Sequence, residues 1–459
     1  MSKTVKLVSP VDGSVYLERE VLGRDDAFAA AARARAAQPA WAARPIRERI
    51  GLVLRANEII GQQTDRMATE LAHQMGRPVR YGGEYGGFNE RVRYMAGIAE
   101  NALAPIEVED SDAFKRQIKR IAHGVVMVVA PWNYPYMTAI NTIAPALMAG
   151  NTVILKHAAQ TLKVGEHLAE AFASAGVPAD VFQNVVLDHE TTSELIGKRA
   201  VDFVNFTGSV GGGQAMEQAA AGTFIPVSTE LGGKDPGYVR ADADLDKAVD
   251  TLMDGAMFNS GQCCCGIERI YVHESLYDAF VEKAVAWVNN GLKLGNPLDK
   301  DTTIGPMANV RFAREVRAQI DEAVADGAVA HIAKSPADDG GTYVTPQILT
   351  NVNHDMRVMR DESFGPVVGI MPVKDDEEAI ALMNDCQFGL TASIWTADAA
   401  KAEEIGDRIE TGTVFMNRCD YLDPALCWTG CKDTGRGAGL SVLGIQALTR
   451  PKSYHLRKA

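Results

Sequence analysis

FKRQIKRIAHGVVMVVA, residues 114–130, is the stretch on which the reading of the fold turns. Its first half alternates apolar and polar side chains, the period of a half-exposed strand. Its second half is an unbroken apolar run, as expected of a strand covered on both faces. Together they predict an exposed hairpin strand that leads into a buried parallel one. Downstream, strands at 125–130, 152–156, 181–187 and 200–206 alternate with helices at 137–149, 161–175 and 190–197. That βαβ rhythm predicts a doubly wound sheet. A second set of strands, at 236–239, 267–273, 347–349, 367–372, 390–395 and 413–417, predicts a second α/β domain, with the boundary near Gly232-Gly233.

Upstream, residues 1–20 read as two extended pieces joined by the turn Val11-Asp12-Gly13-Ser14. Helices follow at 24–41, 45–64 and 65–76, then a glycine- and aromatic-rich patch at 81–88 and a further helix to about 103. The fold class is therefore α/β with two doubly wound domains. Residues 1–106 and 122–232 are assigned to the first domain and 233–432 to the second, with 107–121 and 433–459 as arms.

Composition narrows the function. With 459 residues, 46% hydrophobic and 23% charged, the chain can bury a sizeable core. A net charge of −13 argues against nucleic acid and anionic membrane surfaces, both of which need a basic face. No apolar run approaches the ~20 residues of a membrane helix. Seven cysteines, an odd number and mostly scattered, do not form a secreted disulfide framework, so a reducing cytoplasm is expected.

Three adjacent cysteines lie in FNSGQCCCGIER, residues 258–269. Gly261 and Gly266 bracket them and let the backbone turn tightly, so that Cys264 and its own amide can face a cleft, as covalent catalysis requires. A buried apolar cysteine is the plainer alternative. The spacing lacks the gaps of zinc motifs, and no metal is expected. In PWNYP, residues 131–135, the Asn133 amide is a neutral donor suited to an oxyanion, or simply a turn residue. Lys156-His157-Ala158-Ala159 and Phe206-Thr207-Gly208-Ser209 follow strands. Glycines and a hydroxyl opening a helix can cradle phosphate, although the GxGxxG spacing is missing. Glu230, in STELGGK at 228–234, is either a solvated carboxylate or, if desolvated, a general base.

Taken together, PWNYP, FTGS, ELGGK, FNSGQCC, ESFGPV and GCKDTGRG, in this order along nearly the whole chain, resemble the aldehyde dehydrogenase superfamily. The resemblance implies a Rossmann-like cofactor domain without GxGxxG, a catalytic domain and a small β oligomerisation extension formed by 114–121 and 453–456. It implies that Cys264 attacks an aldehyde, that Asn133 and the Cys264 amide hold the oxyanion, and that Glu230 activates water to release a carboxylic acid. For the cofactor it implies that Lys156 and Glu362 hold ribose hydroxyls, that Phe364 lies by the nicotinamide ribose and that Ser209 touches the pyrophosphate. Trp132, Gly208 and Leu231 join them on the cofactor side. The glutamate common in NAD-dependent members is replaced by Ala159, so either NAD or NADP is expected. Two groups of a proposed proton relay align with Thr142 and Gly439, leaving water activation to Glu230.

Cys263 and Cys265 are expected to point away from the site, as packing residues or as transient partners of Cys264. Tyr134 and Trp428 are expected to form an aromatic mouth suited to an aromatic aldehyde or a cationic aminoaldehyde; a semialdehyde is the other expected substrate. The expected partners are a small-molecule aldehyde and further copies of the chain, as a homodimer or homotetramer. A coenzyme-A-acylating enzyme and a catalytically silent binding protein of the same fold are the alternatives.

Overall fold

Alternate residues of the strand Val125–Val129 face two different cores. Val126 and Val128 join one apolar cluster, while Val125, Met127 and Val129 join another. Helices therefore cover both faces of its sheet, which explains the unbroken apolar sequence. In the computed structural model, which describes residues 3–458, this strand is the centre of a five-stranded parallel sheet. The order is Phe182–Asn184, Thr152–Lys156, Val125–Val129, Phe203–Thr207, Val227–Glu230. The chain leaves the central strand to one side and returns on the other, so the topological switch lies at the start of PWNYP.

The second sheet has seven strands, ordered Val329–Ala330, Gln347–Thr350, Val367–Val373, Ile267–His273, Asp235–Val239, Thr391–Trp395, Thr413–Met416. All neighbours are parallel except the first pair. It too lies between two cores, with Tyr271 in one and Ile270 and Val272 in the other. The predicted fold class is present. Strand limits moved where the apolar pattern misled: 181–187 shortens to Phe182–Asn184, and 200–206 starts late, at Phe203. The strand Val227–Glu230 was missed because VSTE offers only one apolar side chain.

Phe114–Ala122 pairs antiparallel with Thr449–Arg457 along its whole length and with Ile106–Asp110 on its other edge. The helix Ser441–Ala447 does not belong to this arm. Its Ile445, with Leu448, enters the core beside the first sheet.

The first sheet ends at Glu230 and the second begins at Asp235. The predicted site segments thus gather where the carboxyl ends of one sheet meet the amino ends of the other. PWNYP, Lys156, FTGS and Glu230 come from the first; the cysteine loop and ESFGP, which enter Ile267–His273 and Val367–Val373, come from the second.

Candidate active site

The cysteine loop begins with three consecutive left-handed residues, Asn259 (φ 54°), Ser260 (φ 57°) and Gly261 (φ 67°). Two of them are not glycine, a strained arrangement that persists only where its surroundings fix it. They do so here: Asn259 accepts from Arg77 Nε at 3.1 Å and donates to the Asn133 and Gln262 carbonyls, and Ser260 donates to the Gly305 carbonyl at 2.8 Å. A Cβ on Gly261 would stand 2.1 Å from the Gly365 carbonyl oxygen. We expect Gly261→Ala to cost about 1–2 kcal/mol from backbone conformation and more from this contact, seen as a lowered melting midpoint together with lost activity.

Cys264 is half-buried, whereas Cys263 and Cys265 are 4% and 1% exposed. The flanking thiols, expected to point elsewhere, are buried against each other and Asp420. Their sulfurs lie 3.5 Å apart, and both contact Asp420 Oδ1, at 3.1 and 3.0 Å. The neighbouring Cys263 and Cys265 thiols hold the Cys264 thiol down, to about 6, while Cys263 is pushed up to about 12 and Cys265 also upward. Three crowded thiols cannot all ionise, so the charge settles on the middle sulfur and its neighbours stay protonated. This constellation of Cys263, Cys265 and Asp420 groups possible metal ligands, but its thiol–carboxyl hydrogen bonds already account for its geometry. Asp420 arrives from a loop more than 150 residues away, so no spacing within the cysteine run signals it.

Glu230 ends its strand with a buried side chain, and burial pushes its carboxyl up to about 7. Its Oε1 has no hydrogen-bond partner among the described residues. A side chain at Gly439 would begin 2.8 Å from that oxygen, so this carboxylate position requires glycine at 439. Gly439 in turn exchanges two backbone hydrogen bonds with Trp428, both 2.8 Å. Trp428, Tyr134 and Cys264 then meet in one small cluster.

Asn133 is buried, and its carbonyl accepts from Arg77 Nη2 at 2.5 Å and from Asn259 Nδ2 at 3.3 Å. The two predicted oxyanion donors are thereby tied to each other's loops. Arg77 also pairs with Glu84, whose other oxygen accepts from the Tyr136 and Met137 amides at the start of the helix Pro135–Met148, a favourable place for an anion. Sequence reading missed Arg77 and Glu84. Neither lies in a motif, and only their buried charges identify them. Arg77 lies over the Tyr134 ring at 4.6 Å, so that face already has its cation and the case for a cationic aminoaldehyde weakens.

On the cofactor side, Trp132 stacks on Phe312 and meets the Phe364 ring edge-on, at 5.1 and 5.4 Å. Phe364 is itself left-handed, at φ 48°. Glu268 fixes it by accepting from the Ser363 and Phe364 amides at 2.8 and 2.9 Å, and Lys234 donates to Glu268 at 2.6 Å. This buried pair joins ELGGK, CCCGIER and ESFGP. Removing one member strands the other's charge, so Glu268→Gln is expected to lose about 3–5 kcal/mol in urea unfolding.

Glu362 accepts from Gly233 N at 3.2 Å, and burial raises it to about 8. Lys156 ends its strand, lowered by burial and without a salt bridge among the described residues. A half-buried amine and a half-buried carboxyl with spare hydrogen-bonding capacity suit the hydroxyls of a dinucleotide. Ser209 caps its own helix Val210–Ala220 by accepting from Gly212 N at 3.3 Å, and Leu231 packs against Gly213 in that helix. Gly208 lies against the Phe206 ring. In the turn 187–190, Asp188 caps the next helix and pairs with Lys3 at 2.8 Å.

The aldehyde dehydrogenase family model matches residues 1–454. An aldehyde dehydrogenase of Paenarthrobacter nicotinovorans is 34% identical over 92% of this chain and 93% of its own length. A succinate-semialdehyde dehydrogenase (NADP+) of Mycolicibacterium paratuberculosis is 35% identical over 86% and 84%. Among solved structures, an NAD-dependent aldehyde dehydrogenase from Sinorhizobium meliloti superposes with a TM-score of 0.94 at 31% identity, covering 99% of this chain and 92% of that one. An NADP-dependent glyceraldehyde-3-phosphate dehydrogenase from Bacillus halodurans, complexed with NADP, gives 0.94 at 31%, covering 100% and 96%. The parallel sheets, the ordered motifs and these likenesses agree: the chain belongs to the aldehyde dehydrogenase family.

Proposed function

We propose that this protein oxidises a small semialdehyde to its carboxylic acid in the cytoplasm, with NAD or NADP, through a thiohemiacetal and then a thioester on Cys264. The observation that supports it most is the pairing of a half-exposed thiol held at about 6 with a buried carboxyl held at about 7. One is ready as nucleophile and the other as base near neutral pH. The semialdehyde follows the substrate named for the mycobacterial relatives.

In this reading the Cys264 thiolate adds to the carbonyl carbon, and the new oxyanion is held by the Asn133 side-chain amide and the Cys264 N–H. The bound nicotinamide supplies the acceptor for the hydride that leaves this carbon. Lys156, Glu362, Phe364 and Trp132 hold and orient the dinucleotide, with Gly208, Ser209 and Leu231 bordering its phosphates. Glu230 then takes a proton from water, the hydroxide adds to the thioester, and the C–S bond breaks to give acid and thiolate. Glu230 favours water over coenzyme A as the acyl acceptor. Assay of an aldehyde panel with each cofactor, with and without coenzyme A, tests this reading. Reduced cofactor without acid refutes hydrolysis, and no reduced cofactor with any aldehyde supports a silent binding protein.

Homodimerisation, or a dimer of dimers, is proposed through the arm. Ile106, Val108 and Leu456 are exposed on its two outer strands, edges that pairing with another copy would cover. Light scattering should give a multiple of the 49.4 kDa chain; a monomer mass refutes it.

A further inference from the structure

Arg91 is 7% exposed, and neither its Nε nor its Nη1 has a partner among the described residues. Buried guanidinium groups are ordinarily paired with an anion. The nearby carboxylates do not meet this need: Glu84 is engaged by Arg77 and two backbone amides, and the exposed Glu90 accepts from the Tyr421 hydroxyl. Yet the Arg91 charge lies close enough to Cys264, Cys265 and Glu230 to act on each. Geometry agrees: Tyr421, which bonds the adjacent Glu90, follows Asp420, which contacts Cys263 and Cys265, so this turn of the helix lies beside the cysteine loop.

A second buried polar side chain accompanies it. Asn141 is 3% exposed, and both of its amide atoms lack partners among the described residues. The helices Tyr85–Ala102 and Pro135–Met148 run side by side in the same direction. Glu84 stands at the start of both, and near their ends Glu100, Leu103 and Ala149 line one depression. A Cβ on Gly87 would stand 2.3 Å from Met137 Sδ, so these two positions face each other. Arg91 and Asn141 lie one turn further along, on the same facing sides.

We propose that Arg91, with the Asn141 amide beside it, binds the carboxylate at the far end of an ω-oxo acid whose aldehyde carbon Cys264 attacks. The inference rests on the reaction proposed above and adds what selects its substrate. A guanidinium fork and an amide N–H match a carboxylate's two oxygens, and the same buried charge repels an aminoaldehyde. Tyr134 and Trp428 are then walls of the passage, and the charge at its end sets the preference.

The test compares 4-oxobutanoate with pentanal, a neutral aldehyde of similar length, in the full-length protein and in Arg91→Met, Arg91→Lys and Asn141→Leu. The parent is expected to favour 4-oxobutanoate. In Arg91→Met the ratio of the two kcat/KM values should fall about 100-fold, chiefly through KM for the oxo acid, with smaller falls for Arg91→Lys and Asn141→Leu. A parent without preference, or an unchanged ratio in folded Arg91→Met, overturns the proposal. So does an equal loss on both substrates with a displaced pH profile, which would mean that Arg91 acts on Cys264 and Glu230. If Arg91→Met does not melt cooperatively, Arg91→Lys and Asn141→Leu decide by the same ratio. Failure of the underlying reaction is separately visible, because Cys264→Ala then still oxidises both aldehydes.

Discussion

Cys264→Ala should bind NAD or NADP and yet release no acid, with turnover lower by about 10⁵-fold or more. The mutation removes the only sulfur in the run that is both partly exposed and held as a thiolate. Cys263 and Cys265 cannot substitute, being buried and raised by the same crowding of thiols that lowers Cys264. Because a methyl group replaces a small half-buried thiol, the melting midpoint should barely change. Fluorescence titration with reduced cofactor would report an intact binding cleft, and steady-state acid production the lost chemistry. Activity near the parental value would remove Cys264 from the mechanism.

Glu230→Gln is the second large effect. It should release close to one equivalent of reduced cofactor per active site and then stall, because the thioester forms without the carboxylate but is not hydrolysed. General bases contribute about 10²–10⁴-fold, and a loss within that range is expected in steady-state turnover. The pH dependence follows from the same group. Burial raises its pKa to about 7, so the carboxylate is protonated and idle well below that pH and ionised above it. Steady-state kcat should therefore rise through about 7 in the parent, and that limb should be missing from Glu230→Gln. Stopped-flow recording of the burst beside the steady state separates the two steps. Unchanged turnover in the glutamine variant would mean that another base operates.

The fold was legible where one physical signal dominated. Val125–Val129 has to be apolar because helices cover both its faces, and Thr152–Lys156 and Ile267–His273 were bounded correctly for the same reason. Val227–Glu230 was not, since three of its four residues are polar. Cys264, Glu230 and Asn133 were singled out by residue type and loop position, each beside a plain structural alternative, and took their expected roles from the ordered motifs that resemble the family. Arg77, Glu84, Glu268 and Asp420 were not, because their importance lies in partners distant along the chain: Arg77 meets Asn133 and Asn259, and Glu268 fastens Ser363 and Phe364. Cys263 and Cys265 were visible as residues, but their contacts with each other and with Asp420 depend on a loop geometry that composition does not encode.

Only four residues separate Glu230 from Asp235, where the second sheet starts. The spacing between the Glu230 carboxyl and the Cys264 sulfur is thus set by a crossing too short to absorb an added or deleted residue. Changes in the size of aldehyde accepted must then come from exchange of side chains along the passage, while lengthening this crossing should uncouple hydrolysis from acyl-enzyme formation.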